Sequence, residues 1–384
     1  MLFVGRQSES QDCKKGGLMK KIKILVDGIS VGLGGIGSVI MSIVEKLDME
    51  KFEPTILFTY DSAYEPIVQQ LGIKSVKICP LGKSLSKYKK QLEEVYKNGD
   101  YDYVWVNNTG KVNIMIFKLA KKYGVKTISH SHGEKQEWSF LKGIVFGMIE
   151  KFNQKAFYQN VDVALACSDN SAKYFYDTTR MGDKPIYVLD NAVDLPKFAF
   201  DEEARKQYRE QLGWTDKIII GAVGRICTVK NHKLLVDAFA KLENKGKYKL
   251  VIVGGGELKE ELVSQIEQNK LENSVELLGV RSDIPNLLSA MDMYTLPSLN
   301  EGYCVSLIEA HSNGLTCLVS DSVKRPWYDD DIHISITNVE EWTKQMQKAT
   351  LHPQSDRVAQ MQAMGLGIDN MVNKFQNILI ENLK

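Results

Sequence analysis

Cysteine is sparse in this 384-residue chain, and no two cysteines stand at the C-x-x-C spacing of a zinc or redox site. The six residues (Cys13, Cys79, Cys167, Cys227, Cys304 and Cys317) are scattered, which argues against a disulfide framework and for a reducing cytosol. An excess of one charge is lacking too. With 49 basic and 48 acidic residues, the formal net charge of +1 gives no argument for bulk nucleic-acid binding. Long apolar runs are absent: none reaches the ~18 residues that would span a bilayer. Residues 1–18 lack the apolar core of a signal peptide and read as a disordered leader ahead of Met19. No short-period repeat is visible.

What is present is an ordinary globular composition, 43% hydrophobic and 25% charged, at a length that suggests two domains. Short apolar runs alternate with helical patterns from Ile22–Val26 through Thr55–Thr59, Tyr103–Val106, Lys126–Ser129, Val163–Ala166 and Ile186–Leu189. Turn-forming residues around Asn191 interrupt the series. Alternation restarts at Lys217–Gly224 and continues through Lys249–Val253, Val275–Leu278, Met293–Leu296 and Thr316–Val319. Such alternation predicts two α/β, Rossmann-like, doubly wound units with parallel sheets, over residues 19–190 and 191–366. An amphipathic helix is expected over Asn370–Lys384.

Ligand-binding residues are expected where strands end and helices begin. Glu301 and Glu309 bracket the helix start after Met293–Leu296, where free backbone N–H groups favour an anion and the carboxylates accept from hydroxyls. Arg225 and Lys230 follow Gly224 at the first strand-to-helix junction of the second unit and suit a diphosphate. Gly254, Gly255 and Gly256 mark a close backbone approach. His130 and His132 share one face of a strand end, with no third ligand nearby for a metal. Gly32, Gly34 and Gly37 spell the dinucleotide fingerprint, and Asp61 lies roughly where a ribose-binding acid would. Residues 27–31 make that loop too long for the fingerprint's tight turn, so a loop facing a diphosphate is the stronger reading, with a nicotinamide site or a plain turn as alternatives. Asp329–Asp331 reads as a solvated loop. The basic stretches Lys83–Lys97 and Leu141–Lys155 read as helix faces, the second with an apolar patch suited to peripheral contact with an anionic membrane.

Four motifs in order carry a family resemblance: Gly224-Arg225 with Lys230, then Gly254-Gly255-Gly256-Glu257, then Gly279 with Asp283-Ile284-Pro285, then Pro297-Ser298 with Glu301-Gly302 and Glu309. The chain resembles retaining family 4 glycosyltransferases of the GT-B fold, in particular those of bacterial capsular and exopolysaccharide synthesis. The resemblance implies two Rossmann-like domains facing a central cleft, with a last helix, 367–384, crossing back to the first domain. It implies transfer of a hexose from a nucleotide sugar, UDP-linked by expectation, to a lipid-linked or saccharide acceptor at the inner face of the plasma membrane, without a metal cofactor. His132, Glu301, Arg225 and Lys230 would be catalytic, with His130 a possible addition. Gly35, Ile36, Gly37, Gly224, Gly255, Gly302, Tyr303, Cys304, Val305 and Glu309 would hold the donor. Cys304 stands where the family commonly has Pro, and the sequence after Asp321 departs from the family pattern. A GT-B epimerase or hydrolase, or a non-catalytic nucleotide-sugar-binding partner, are the rival readings.

Overall fold

The computed structural model describes residues 20–383 except 30, 33, 133–139, 302, 324–330 and 350–356. The expected leader (1–18), Gly133 and Gly302 lie outside the described residues.

The first sheet contains β1 (Ile22–Asp27), β2 (Phe52–Phe58), β3 (Lys74–Lys77), β4 (Tyr103–Asn108), β5 (Lys126–Ser131), β6 (Val163–Ala166) and β7 (Ile186–Val188), in the order β3-β2-β1-β4-β5-β6-β7. The second contains β8 (Ile218–Val223), β9 (Tyr248–Val253), β10 (Val275–Gly279), β11 (Met293–Leu296), β12 (Thr316–Ser320) and β13 (Ile332–Ile334), in the order β10-β9-β8-β11-β12-β13. All strand pairs are parallel.

The strands are apolar on both sides because helices cover both faces. In the first sheet Ile24, Val26 and Trp105 point into one core, and Leu25, Val104 and Val106 into the other. In the second, Ile219, Val251 and Val253 face one way and Ile218, Ile220, Leu250 and Ile252 the other. β3 and β13 escape the sequence pattern. Both are edge strands, and Lys74-Ser75-Val76-Lys77 is mostly exposed, so neither needs an apolar run.

The last helix, Ile368–Glu381, belongs to the first sheet. Met371, Phe375, Ile378 and Leu379 bury in its core, and the Phe375 ring lies 4.5 Å from that of Trp105. The Tyr103 hydroxyl donates to the Leu379 carbonyl at 2.8 Å, and Asp48 N–H donates to Gln376 Oε1 at 2.9 Å.

The order of each sheet reverses once, between β1 and β4 and between β8 and β11. In open parallel sheets the crevice beyond the strand C-termini at such a reversal is where ligands bind. The two reversals therefore mark the positions on which a functional site can be built.

Candidate active site

The reversal in the second sheet is occupied by a cluster of polar side chains. After β8 the chain runs through Gly224 and Arg225 to Lys230; after β11 it runs through Pro297 to Glu301 and then into the helix Val305–Ser312. The two loops are tied together: Leu299 N–H donates to the Val229 carbonyl at 2.8 Å, and Asn231 Nδ2 donates to the Pro297 carbonyl at 3.3 Å. Asn231 takes a left-handed backbone (φ 49°), a conformation that Asn tolerates better than most residues. The turn swings Lys230 inward, where its Nζ lies 2.7 Å from Glu301 Oε1 and 3.6 Å from Cys304 Sγ.

Burial works against the Lys230 charge, but the Cys304 sulfur and the Glu301 carboxylate outweigh it and raise the Lys230 pKa. Burial pushes the Cys304 thiol up as well, so the thiol is neutral at neutral pH and Glu301 is the effective counter-ion. Cys304 also lies 3.3 Å from Ser306 Oγ, which accepts from the Tyr294 hydroxyl at 2.8 Å. Cys304 is thus a packed wall of the site behind the Lys230–Glu301 pair.

The helix Val305–Ser312 presents one face to the core and the other to the site. Leu307, Ile308, Ala310 and His311 are buried, while Val305, Ser306 and Glu309 stay half-buried on the accessible side. Its start has no side-chain cap, leaving backbone N–H groups available. Burial raises the Glu309 pKa to about 7, partly offset by the positive charges of Lys197 and Lys230. Lys197 is a neighbour that sequence spacing does not reveal, because it lies in the segment between the two sheets. Tyr303 is buried in the second core.

Arg225 lies at the exposed rim of the loop after β8. Its side chain is 71% exposed and pairs with Glu257 of the triple-glycine loop at 3.0 Å, apart from the Lys230–Glu301 pair. The triple glycine is explained by backbone packing: a Cβ on Gly254 would stand 2.0 Å from the Gly224 carbonyl oxygen, and one on Gly256 would stand 2.1 Å from that of Ile226. The Gly224–Ile226 and Gly254–Gly256 loops therefore lie directly on one another, and Ile226 N–H donates to the Gly255 carbonyl at 2.9 Å.

In the first domain seven residues, 28–34, separate β1 from the helix Gly35–Lys46, consistent with a loop too long for the dinucleotide turn. Gly35 is exposed with open space around it, and Gly34 caps the helix without a side chain. Gly37, the last glycine of the fingerprint, packs on Tyr64. It is buried, and an added Cβ would stand 2.6 Å from the Tyr64 ring. The Tyr64 hydroxyl holds the loop by donating to the Gly34 carbonyl at 3.1 Å. Ile36 and Val305 both pack on the core of the first sheet, which sets the glycine loop and the Val305–Ser312 helix on common ground. Asp61 is a surface residue, paired with Lys77 at 2.5 Å, and takes no part in the site.

The His130 and His132 rings lie against one another, with centroids 4.1 Å apart, but have different partners. Asn107 Nδ2 donates to the Asp27 carbonyl at 2.9 Å, which turns its Oδ1 toward His132 Nε2 at 2.7 Å. His132 Nε2 is therefore the protonated nitrogen, and Nδ1 is an acceptor. Burial lowers the His132 pKa to about 3, so the ring is neutral. His130 is fully buried: Trp105 Nε1 donates to its Nδ1 at 3.3 Å, and burial holds its pKa well below the usual value. It supports Trp105 and His132 from within the core.

Among the described residues one group of three could ligate a metal: His311, Cys317 and Asp331. It lies on the core side of the Val305–Ser312 helix, where Asp331 Oδ1 stands 3.3 Å from His311 Nε2. The Asp331 side chain is 1% exposed, which corrects the reading of a solvated loop for that residue; 329 and 330 lie outside the described residues. In the Phe140–Asn160 helix Ile144, Val145, Met148 and Phe152 are 47%, 50%, 60% and 89% exposed, so the apolar patch expected there faces outward.

Comparison with known proteins gives the family and the fold. Residues 33–197 match the family model described as Glycosyltransferase Family 4, and residues 204–350 match that of Glycosyl transferases group 1. The chain is 30% identical over 318 residues to UDP-Gal:alpha-D-GlcNAc-diphosphoundecaprenol alpha-1,3-galactosyltransferase of Escherichia coli, covering 78% of this chain and 80% of that one. It is 28% identical over 323 residues to the amylovoran biosynthesis glycosyltransferase AmsD of Erwinia amylovora, covering 80% and 83%. In fold it is similar to HepE of Anabaena, solved in complex with UDP and glucose, with TM-score 0.76, 19% identity and coverage of 93% and 99%. The chain belongs to the family 4, group 1 glycosyltransferases and is an enzyme of the GT-B fold.

Proposed function

We propose that this glycosyltransferase moves a hexose from a UDP-sugar, with retention, onto a lipid-linked saccharide in the assembly of a cell-surface polysaccharide. The observation that carries the reading is the half-buried Lys230–Glu301 pair at the reversal of the second sheet, with Glu309 one helix step beyond. Relatives that use undecaprenol-diphosphate saccharides or make amylovoran, and neighbours solved with UDP-glucose, support the substrate classes.

In this reading Glu309 accepts from the ribose hydroxyls and Glu301 from the hexose. A bond forms from the acceptor oxygen to the anomeric carbon as the bond to the diphosphate breaks; the electron pair leaves with the diphosphate, whose oxygen takes up the acceptor hydroxyl's proton. Lys230 and the backbone N–H groups of residues 303–305 stabilise that developing charge. Gly35 and Ile36 face the diphosphate from the other domain, and Arg225 closes over it from the rim. His132 accepts from the transferred sugar through Nδ1. The reaction needs no metal, because fixed cations and N–H groups supply the charge.

The test is incubation with isotopically labelled UDP-hexoses and polyprenyl-diphosphate saccharides, with product mass and anomeric configuration as readouts. An α-linked product from an α-linked donor is expected. Donor turnover unchanged by omitting acceptor, or no product with Glu301→Ala indistinguishable from the parent, would sink the reading.

Glu309 gives a pH prediction. Its pKa is raised to about 7, so the protonated form predominates below that pH and ionisation is restored as pH rises through it. Only the carboxylate accepts from both ribose hydroxyls. UDP-glucose affinity measured by calorimetry should fall by up to about tenfold per pH unit below pH ~7. Glu309→Gln should bind weakly and show a flat profile over the same range.

We further propose that the outward apolar face of the Phe140–Asn160 helix rests on an anionic bilayer, with Lys151 and Lys155 beside it. No helix among the described residues is long and apolar enough to cross a membrane. Met148→Glu with Phe152→Glu should reduce binding to phosphatidylglycerol vesicles by about tenfold or more, since each exposed apolar side chain contributes on the order of 1–2 kcal/mol when inserted. Undiminished sedimentation with vesicles would refute this contact.

A further inference from the structure

The reversal in the first sheet carries polar groups that the donor chemistry leaves unused. β1 ends in Asp27, and β4 ends in Asn107-Asn108. The two strand ends are locked together. Asn107 Nδ2 donates to the Asp27 carbonyl, and Gly28, at φ 103°, has no room for a Cβ, which would stand 2.2 Å from the Asn107 carbonyl oxygen. The backbone around Asp27 is thus fixed at the place where an open parallel sheet binds ligands.

Asp27 shares a sheet face with Leu25, the face packed by the helix Leu85–Gly99. Tyr88 of that helix is fully buried, and its negative interaction with Asp27 adds to burial in raising its pKa. Asn113, in the loop after β4, donates from Nδ2 to the Tyr88 hydroxyl at 2.8 Å. That leaves three unmet hydrogen-bonding capacities in one place. The Asn113 Oδ1 atom is buried without a partner. The Tyr88 hydroxyl accepts from Asn113, and its own proton is left to donate. The Asp27 carboxylate has the Gly28 N–H as its hydrogen-bond partner and otherwise faces burial, which raises its pKa to about 6. Buried polar groups in folded proteins are nearly always paired with protein or water, so a set open toward solvent is one whose water a polar ligand can replace.

The required ligand follows from the inventory. It must donate to a carboxylate and to an amide oxygen and accept from a phenol. A pair of neighbouring sugar hydroxyls does both, as does a hydroxyl beside an acetamido N–H. Asp27 and Asn113 are half-buried, so the place is reachable from solvent. β1 and β5 are separated by β4 alone, which puts the Asp27 strand end about 10 Å, two strand spacings, from the strand end that carries His132. That is roughly the reach of one or two hexose rings.

We propose that Asp27, Tyr88 and Asn113 form the subsite that binds the acceptor saccharide and selects its hydroxyl pattern. The assignment rests on the transferase reading given above, and it places the carboxylate with the acceptor and not the donor. Asp27→Asn keeps the shape and removes the charge; Asn113→Ala removes the amide.

The probes are alkyl-diphosphate-linked glucose, galactose, N-acetylglucosamine and N-acetylgalactosamine, with UDP-glucose as the donor probe. With the acceptor that the parent uses, each variant should raise the acceptor KM by about tenfold or more while the Kd for UDP-glucose stays within about twofold. Acceptor KM and kcat both within about twofold of the parent in both variants would overturn the subsite and leave the transferase reading intact. Saturation-transfer NMR with the same four probes needs no turnover. Signals present with the parent and lost in Asp27→Asn would support the subsite even if no sugar were transferred, in which case the transferase reading alone would fall. Signals equal in parent and variant, or absent from the parent with all four probes, would overturn the subsite.

Discussion

Replacing Lys230 with Ala is expected to slow sugar transfer by about 10²–10³-fold, the cost of removing one fixed donor from a developing anion. The side chain is only 18% exposed, and the turn at Asn231 and the wall formed by Cys304 leave it no other place to go. Removal also strands Glu301, whose side chain is 15% exposed and has Lys230 as its counter-ion at 2.7 Å. An unpaired carboxylate at Glu301 would disturb the site by itself, apart from any lost chemistry. Lys230→Ala with Glu301→Ala separates the two. The double variant should melt closer to the parent than Lys230→Ala does, yet transfer no faster. Lys230→Arg should rescue little. The Lys230 stem already stands so near Gly224 that a Cβ there would be 3.2 Å from Cε, and a planar guanidinium needs more width. Single-turnover rates with saturating UDP-hexose, alongside thermal melts, measure both effects.

The second large effect falls far from the chemistry. Asp292 is 2% exposed at the foot of β11, and its partners include Arg205 Nη2 at 2.5 Å, Arg209 Nη1 at 3.0 Å and the Ile219 N–H at 2.7 Å. It thereby joins β11, β8 and the helix Glu202–Gln211 at the strand N-termini, opposite the site. Arg209 is itself buried and also donates to the carbonyls of Ala290, Trp214 and Lys217. Asp292→Ala leaves two guanidinium groups in the interior without their shared carboxylate. A cost of about 3–5 kcal/mol to the second domain is expected. The domain spans roughly 175 residues, so its melting midpoint should drop by about 10 °C. Because the chain builds two sheets with their own cores, the change should be read by hydrogen exchange over residues 202–223 and 292–296 and not from a single global transition. Equal protection in the variant and the parent would refute the role of this cluster.

These expectations differ in how far the chain itself announces them. The eleven strands read from apolar runs recur in the folded chain, because a strand buried on both faces must be nearly all Val, Ile, Leu and Ala, and helices between them must be amphipathic. The edge strands β3 and β13 do not announce themselves, since an edge needs backbone partners on one side only and tolerates lysine. The site is legible where a motif is local. Lys230, Glu301 and Glu309 each follow a strand end, and the order of their motifs indicates the family. The apolar patch of the Phe140–Asn160 helix is legible in the sequence but its exposure is not, because periodicity reports which residues are apolar and not whether the fold covers them.

The stretch from Pro297 to Ala310, together with Gly224–Lys230, is where local sequence determined most: strand, turn and helix start are dictated by a breaker, a glycine and apolar spacing, and these alone put acids and cations at strand ends. What the tertiary structure decided is which of them meet. It paired Lys230 with Glu301 and turned Arg225 away to Glu257. It sank His130 beneath Trp105 and left His132 accessible, although both stand on one strand face. It brought Asp27, Tyr88 and Asn113, separated by as many as 86 positions in the chain, around one sheet reversal. The physical reason is the same in each case. Backbone propensity acts over a few residues, whereas burial and charge pairing act across whatever distance in sequence the sheet order closes.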